Sequence, residues 1–314
     1  MTMPTPLTGV VPPVCTPLTP DHEVDTRSLV RLVDHLVAGG VDGLFVLGSS
    51  SEAAYLTDGQ RRVVIDTVAG HVGGQLPVLA GAIDMATPRV LDHVRSVTDA
   101  GADGVVVTAP FYTRTHRAEV ARHFRLVAAG SPVPVFAYDL PVAVHSKLDA
   151  ELVLELAAEG VLAGLKDSSG QEGNFREVVL GARGARGRGD LSGFSVLTGS
   201  ETTVDAALAM GADGVVPGLG NVDPEGYARL YRHCREGDWV RARVEQERLC
   251  GLFGMVRVGD AGRMGGSSSA LGAFKAALHL RGVIACPVTA EPQVPLSAVE
   301  VERVGKFLAG AGLL

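Results

Sequence analysis

The sequence GADGVVVTAP, residues 101–110, is one copy of an internal repeat that indicates the fold. Related stretches are GVDGLFVLG at 40–48 and GADGVVPG at 211–218. Each follows an amphipathic helical pattern, so that glycine closes a helix, a polar turn follows, and the apolar run forms a fully buried parallel strand. The copies begin 61 and 110 residues apart, which is two and four strand–helix modules of about 30 residues each. The repeat therefore indicates a wound parallel sheet.

Further apolar runs predict five more strands, at 9–18, 76–83, 133–140, 161–167 and 194–200. With the three repeat strands they make eight, and helical patterns such as 25–37 and 149–158 lie between them. An open doubly wound sheet is the alternative, but no strand is followed by the G-x-G-x-x-G turn of such folds. Eight evenly spaced units favour a closed barrel.

From about residue 237 the strand pattern stops, and the sequence predicts three helices, near 238–254, 267–281 and 296–310. No shift in composition marks a linker before them. We therefore expect an α/β fold with two parts: a (β/α)8 TIM barrel over 1–236 and a C-terminal three-helix region over 237–314 packed on the barrel.

Composition excludes several classes of function. The net charge of -7 and pI near 5.7 argue against a nucleic-acid partner, which needs a basic face. Arg183, Arg186 and Arg188 alternate with glycine and alanine and are typical of a solvated loop. No apolar stretch reaches the roughly 18 residues of a membrane span, and no charged-then-apolar leader opens the chain. Four scattered cysteines predict reduced thiols. We expect a cytoplasmic protein without a membrane partner.

In a TIM barrel the active site lies at the carboxyl ends of the strands. Lys166 closes the apolar sixth strand, where burial disfavours the charged ammonium and leaves neutral amine that can attack a ketone. A structural ion pair or a phosphate contact is the alternative role. Lys275, in a predicted C-terminal helix, lies away from the strand ends and is expected to be structural or to lie in an interface.

Tyr138 ends the neighbouring fifth strand, so its phenol can reach the same small volume and move a proton there. Capping of a loop by its hydroxyl is the alternative. Ser49 and Ser50 follow Gly48 in the turn after the second strand and offer hydroxyls and N–H groups suited to a carboxylate. Three consecutive serines are also compatible with a plain polar turn.

These residues form a combination of four motifs in order. They are G-[ST]-[ST]-x-E at 48–52, Pro-aromatic-Tyr at 110–112, Tyr-x-x-Pro at 138–141 and G-[LI]-K-[DE] at 164–167. The chain resembles the dihydrodipicolinate synthase/N-acetylneuraminate lyase superfamily over essentially its full length. The resemblance implies the barrel with C-terminal helices, a homotetramer built as a dimer of dimers, and neither metal nor organic cofactor.

The resemblance also implies roles. Lys166 is the Schiff-base lysine and Tyr138 the acid/base, while Ser49 and Ser50 bind the carboxylate of a 2-oxo acid and Ser49 relays protons to Tyr138. Tyr112 matches a tyrosine that reaches into the neighbouring subunit's site. Further substrate-binding positions are Gly48, Gly199, Glu201 and Gly218. The ketone of pyruvate or a longer 2-oxo acid condenses with Lys166, and the imine serves as the electron sink for making or breaking a C–C bond.

Departures from the family pattern bear on the substrate. In the synthases an arginine after Tyr-Asn-x-Pro holds the carboxylate of aspartate semialdehyde, but residues 138–145 here read YDLPVAVH. No fork-shaped cation is present there, which counts against lysine biosynthesis. Asp139 replaces the usual Asn and brings a charge that could repel an anion. Ser51 replaces the usual glycine. Sialic acid lyases carry two acids after strand seven, where this chain has Glu201 followed by threonine.

The sequence therefore predicts an aldolase-type lyase that acts on a 2-keto-3-deoxy sugar acid or a related 2-oxo acid and joins or releases pyruvate and an aldehyde. Alternatives with the same imine are a 2-oxo acid dehydratase and a dihydrodipicolinate synthase in which another basic residue replaces the arginine. From other classes, a non-catalytic 2-oxo acid binder and a phosphate-binding barrel stay open. Pro217 removes one backbone donor from the latter's usual site.

Overall fold

A computed structural model of the chain describes residues 3–184 and 191–314. Arg186 and Arg188, in the basic stretch noted above, lie outside these ranges. The strands are β1 (Gly9–Val10), β2 (Leu44–Val46), β3 (Val78–Gly81), β4 (Gly104–Thr108), β5 (Val135–Asp139), β6 (Gly164–Asp167), β7 (Ser195–Thr198) and β8 (Gly214–Val215). All neighbours pair in parallel, in the order β1-β8-β7-β6-β5-β4-β3-β2.

The two ends of this sheet meet through the segment that follows β1. The Val14 N–H donates to the Phe45 carbonyl at 2.8 Å, and the Phe45 N–H donates to the Pro12 carbonyl at 3.1 Å. These bonds close the sheet into the predicted (β/α)8 barrel. The prediction of a first strand over 9–18 was too long, because Pro12 and Pro13 have no N–H to continue a regular ladder.

The aspartate of the sequence repeat accepts an equivalent backbone hydrogen bond in each of the three copies. Asp42 accepts the Val10 N–H at 2.8 Å, Asp103 accepts the Val78 N–H at 2.9 Å, and Asp213 accepts the Val196 N–H at 2.7 Å. In each case the aspartate before one strand binds the start of the preceding strand. The repeat thus fixes the register of neighbouring strands three times around the barrel.

Helices surround the barrel. They are α1 (Thr26–Ala38), α2 (Asp58–Val72), α3 (Thr87–Asp99), α4 (Arg117–Gly130), α5 (Pro141–Val144), α6 (Ala150–Ala158), α7 (Glu172–Ala182), α8 (Val204–Ala209), α9 (Pro224–Arg235), α10 (Trp239–Phe253), α11 (Gly266–Leu280) and α12 (Ala298–Gly310). Asp25 and Asp149 cap α1 and α6 as N-terminal acceptors. The three C-terminal helices are those predicted.

Strand side chains alternate between two cores. Those that point inward fill the barrel, and the others pack under the helices. The inner cluster consists of Leu7, Val11, Phe45, Leu79, Val106, Phe136, Tyr138, Leu197 and Val216. Tyr138 therefore belongs to the barrel interior, whereas its neighbour Asp139 faces the helices.

Lys275 on α11 joins the C-terminal region to the barrel. Its side chain is 1% exposed and forms an ion pair with Glu52 in the turn after β2, and Glu52 is itself fully buried. Lys275 Nζ also donates to the Val288 carbonyl at 2.7 Å. Glu52 further accepts the Ala290 N–H at 2.7 Å and the Gln293 side-chain amide at 2.6 Å. The contact is structural, in line with the expectation for this lysine.

We predict that Lys275→Met lowers the free energy of unfolding by about 3–5 kcal/mol, because it leaves the Glu52 carboxylate buried without its cation. Lys306→Met is the matched control, since Lys306 and Glu302 form an exposed i,i+4 pair that contributes less than about 0.5 kcal/mol. Urea unfolding measures both. A Lys275→Met variant as stable as Lys306→Met would contradict the assignment.

Candidate active site

Lys166 lies at the carboxyl end of β6 with its side chain inside the barrel, 5% exposed. Its Nζ is 4.1 Å from the ring centroid of Tyr138 and 4.9 Å from that of Phe45. Aromatic faces attract a cation at such distances. Among the described residues Lys166 forms no ion pair, unlike Lys147 and Lys275. The structural ion pair that the sequence left open is therefore not formed.

Tyr138 stands opposite Lys166 in the register of β5 with β6. Its side chain is 3% exposed and its hydroxyl is 3.5 Å from Ser49 Oγ. Burial alone raises the pKa of this phenol. The Lys166 charge and hydrogen bonds with Ser49, Ser168 and Lys166 outweigh burial, and the pKa lies below its ordinary value. A phenol that ionises more readily is suited to accept and return a proton.

The turn after β2 brings Ser49 to this pair. Gly48 begins the turn, and a Cβ there would lie 2.6 Å from the Phe45 ring. Only glycine therefore allows the turn to pass over Phe45. Ser49 is exposed at the mouth of the barrel and Ser50 is partly buried beside it. The structure thus places Ser49 Oγ 3.5 Å from the Tyr138 hydroxyl, and Ser50 lies next to Ser49 in the same turn.

Gly199 follows β7 and lies against Lys166. A Cβ at this position would lie 2.0 Å from Ser168 Oγ and 3.2 Å from Lys166 Cε. The missing side chain gives both groups their space. Ser168 comes directly after the β6 end and reaches Tyr138, although the sequence analysis did not single it out.

Glu201 and Gly218, two predicted substrate-binding residues, contact each other. Glu201 accepts the Gly218 N–H at 2.5 Å and the Leu219 N–H at 3.3 Å through one oxygen, and its other oxygen accepts the Tyr227 hydroxyl at 2.7 Å. Its carboxylate therefore already has protein partners. It stabilises the loop after β8.

Tyr112 is not brought to Lys166 within this chain. Its side chain is 88% exposed, and its φ of 76° lies in the left-handed region that only glycine adopts freely. Such a conformation costs about 1–3 kcal/mol in a residue with a side chain. Phe111, the residue before it, is the aromatic group that lines the cavity beside Tyr138.

A cavity of about 430 Å³ opens beside Tyr138. Ser49 and Thr108 provide polar groups near the phenol, and Thr108 Oγ1 is buried without a hydrogen-bond partner among the described residues. The remaining wall is largely apolar, but it also contains the charged residues Arg61 and Asp84. Its apolar members include Ala53, Ile83, Met85, Phe111, Leu140, Ala143 and Val144. A second cavity of about 220 Å³ lies beside Asp167, Ser168 and Gly199.

The charge of Asp139 does not face this site. Asp139 is fully buried on the outer side of β5 and forms an ion pair with Lys147, which the sequence analysis did not identify. The expectation that this charge repels an anionic substrate is therefore wrong. Phe45 and Thr108 could have been found from strand alternation in the repeated stretches, but no local signal pointed to Lys147.

A model of the dihydrodipicolinate synthetase family matches residues 6–311. The chain belongs to this family. It is 33% identical over 282 residues to an uncharacterized DapA-like lyase of Halobacterium salinarum, which covers 90% of this chain and 87% of that one. Identity to the 4-hydroxy-tetrahydrodipicolinate synthase of Methanosphaerula palustris is 30% over 297 residues, covering 94% and 95% of the two chains. The chain is thus an aldolase-type lyase of this family.

YagE of Escherichia coli K12, named a putative 2-dehydro-3-deoxy-D-gluconate aldolase, is 32% identical over 236 residues, or 75% of this chain and 76% of YagE. The crystal structure of YagE with pyruvate superposes with a TM-score of 0.89 at 28% identity and covers 98% of this chain and 99% of YagE. The family member with pyruvate therefore shares the whole fold.

Residues 3–184 and 191–314 contain neither a candidate metal-binding cluster nor a helix suited to crossing a bilayer. No group of three or more His, Cys, Asp or Glu side chains is arranged to hold a metal ion. None of the helices in these ranges has the length and apolar character that a bilayer crossing requires.

Glu201 gives the stability a pH dependence. Burial raises its pKa to about 7, against the opposing hydrogen bonds of Tyr227, Gly218 and Leu219 and the Lys166 charge. The folded chain thus holds this proton to higher pH than the unfolded chain. The stability that the protonated carboxyl contributes is complete below about pH 4.5 and is lost as the pH rises through about 7.

We therefore predict that Glu201→Gln, which cannot ionise, gains about 2 kcal/mol of unfolding free energy over wild type between pH 5 and pH 8. Urea titrations at the two pH values measure the difference. Glu302→Gln, at an exposed site, is the control and should show no such gain. A wild type whose pH dependence equals that of Glu201→Gln would rule out the raised pKa.

Proposed function

We propose that the enzyme forms a Schiff base between Lys166 and a 2-oxo acid and makes or cleaves the C–C bond between pyruvate and an aldehyde. The buried pair of Lys166 and Tyr138 is the main support for this proposal, because Lys166 Nζ lies 4.1 Å from the centroid of the phenol ring. Nucleophile and proton carrier share one water-poor volume at the strand ends. Imine chemistry needs both groups in that arrangement.

In the cleavage direction, imine formation comes first and cleavage of the C–C bond follows. The neutral Lys166 amine attacks the ketone carbon, Tyr138 donates a proton to the departing oxygen, and water leaves as the protonated imine forms. Tyr138 then removes the proton of the 4-hydroxyl, the C3–C4 bond breaks, and its electron pair moves into the imine to give an enamine and an aldehyde. Protonation at C3 and hydrolysis release pyruvate and the free amine.

Ser49 and Ser50 bind the 2-oxo acid carboxylate in this proposal, and Ser49 relays protons between Tyr138 and the substrate. The 3.5 Å separation of Ser49 Oγ and the Tyr138 hydroxyl supports the relay. Gly48 and Gly199 give the substrate close access to the backbone. Glu201 and Gly218 remain predicted substrate contacts. Because they are hydrogen-bonded to each other, we expect them to act on the substrate mainly through the shape of the loop after β8.

The proposed substrate is a 2-keto-3-deoxy sugar acid or a related 2-oxo acid. The name of the relative YagE, a putative 2-dehydro-3-deoxy-D-gluconate aldolase, supports a sugar acid. Synthesis of dihydrodipicolinate has less support, because 142–144 are apolar where the synthases place arginine. Lys147, a basic residue in the same loop, is occupied by Asp139 on the outer side of the barrel.

We propose a cytoplasmic homotetramer, a dimer of dimers, in which Tyr112 enters the neighbouring subunit's site; its 88% exposure in the single chain supports this. The enzyme works without an organic cofactor or metal, because the imine supplies the electron sink. The barrel ends near 236, and residues 237–314 support it from outside.

The test is release of pyruvate from 2-keto-3-deoxygluconate and a panel of related 2-oxo acids, followed with lactate dehydrogenase and NADH. We expect Lys166→Ala to abolish turnover and Tyr138→Phe to lower kcat about 10²–10⁴-fold, as loss of an acid/base group does. Lys306→Ala, at an exposed lysine, should retain full activity. Full activity in Lys166→Ala would contradict the mechanism.

A further inference from the structure

Two carboxylates lie directly behind the catalytic pair. Asp139 follows Tyr138, Asp167 follows Lys166, and the two aspartates are partners in the register of β5 with β6. Because side chains alternate along a strand, both point away from the barrel interior. Asp139 is fully buried and Asp167 is 5% exposed. Two ionised carboxylates in this position repel each other and push the strand ends apart.

Lys147 lies between them. It comes from the loop that follows α5, and its Nζ forms an ion pair with Asp139 and is 4.0 Å from the nearer Asp167 oxygen. Within the part of the chain that the structure describes, no other cation is in ion-pair distance of either carboxylate. Asp167 Oδ2 is buried without a hydrogen-bond partner there, so Lys147 is its nearest compensating charge.

Backbone contacts hold Lys147 in place. Its Nζ donates to the Leu148 carbonyl at 2.7 Å, and the Leu148 N–H donates to Asp139 at 3.2 Å. Burial raises the pKa of Asp139, hydrogen bonds from Lys147 and Leu148 lower it, and the charge of Asp167 raises it; the net direction is upward. The ionised form of Asp139 therefore depends on the lysine.

We propose that Lys147 is a positioning residue for the lyase reaction. It holds the ends of β5 and β6 together from outside the barrel and so fixes the separation of Tyr138 and Lys166 inside. The inference rests on the proposed Schiff-base function. The positioning role also explains why Lys147 accompanies Asp139. A neutral Asn at position 139 would need no cation, whereas an aspartate beside Asp167 does need one.

The probe is pyruvate alone in D2O, because the imine–enamine step exchanges its methyl protons. The enamine forms when a methyl proton passes to Tyr138, and a deuteron returns to the same carbon. Proton NMR gives kcat and KM for this exchange, with no need to know the aldehyde. The variants are Lys147→Met, Lys147→Arg and the double variant Asp139→Asn/Lys147→Met.

We expect Lys147→Met to lower kcat about 10–100-fold, as a displacement near 1 Å does, while KM for pyruvate changes less than about threefold because the serine turn is untouched. Lys147→Arg should keep the ion pair and most of the rate. The double variant should return to within about threefold of wild type, since it removes the repulsion together with the cation. Circular dichroism checks that each variant is folded.

Wild-type kcat in folded Lys147→Met would overturn the proposal, and so would a double variant as slow as Lys147→Met. If Lys147→Met does not fold, the double variant is compared with wild type instead: a kcat within about threefold of wild type supports the proposal, and a folded double variant about tenfold or more slower overturns it. The proposed function fails separately: it fails if wild type exchanges no methyl protons or if Lys166→Ala exchanges them at the wild-type rate. Exchange that needs Lys166 and is indifferent to Lys147 rejects only the positioning role.

Discussion

The parallel pairing of β5 with β6 is the constraint on which the site depends. Its register sets Tyr138 opposite Lys166 on the inner face and Asp139 opposite Asp167 on the outer face. A slip of one residue would turn the side chains of Tyr138 and Lys166, the proposed catalytic pair, toward the helices and the carboxylates into the barrel. This register therefore determines both the pairing of Tyr138 with Lys166 inside the barrel and the position of the Lys147–Asp139 ion pair outside it. The aspartates of the sequence repeat fix similar registers elsewhere in the sheet.

The C-terminal region is part of the active-site support as well as a cover for the barrel. Through Lys275 it holds Glu52, and Glu52 lies in the turn that carries Ser49. Glu52 has a φ of 59°, a conformation that its side-chain partners must stabilise. A helix far along the chain thus determines where a proposed substrate-binding serine lies. The family model matches the barrel and these helices together, over residues 6–311.

Much of this could be predicted from sequence because it is encoded locally. The repeat, the apolar strands and the polar residues at strand ends predicted the barrel and placed Lys166 beside Tyr138. Contacts that depend on the path of a loop could not be predicted in the same way. Lys147 reaches Asp139 across a turn after α5 that has no sequence signature, and Glu201 binds Gly218 from another strand end. The first strand is shorter than its apolar run predicts, because two prolines within the run interrupt the ladder.

Reductive trapping tests whether Lys166 forms a Schiff base with a 2-oxo acid. The protein is incubated with pyruvate and borohydride, and wild type and Lys166→Ala are compared by intact-protein mass spectrometry and peptide mapping. We expect one stable pyruvyl adduct per chain, located on Lys166 and missing from Lys166→Ala. No adduct from pyruvate or from longer 2-oxo acids, or an adduct on another lysine, would contradict a Schiff base at the pair of Lys166 and Tyr138.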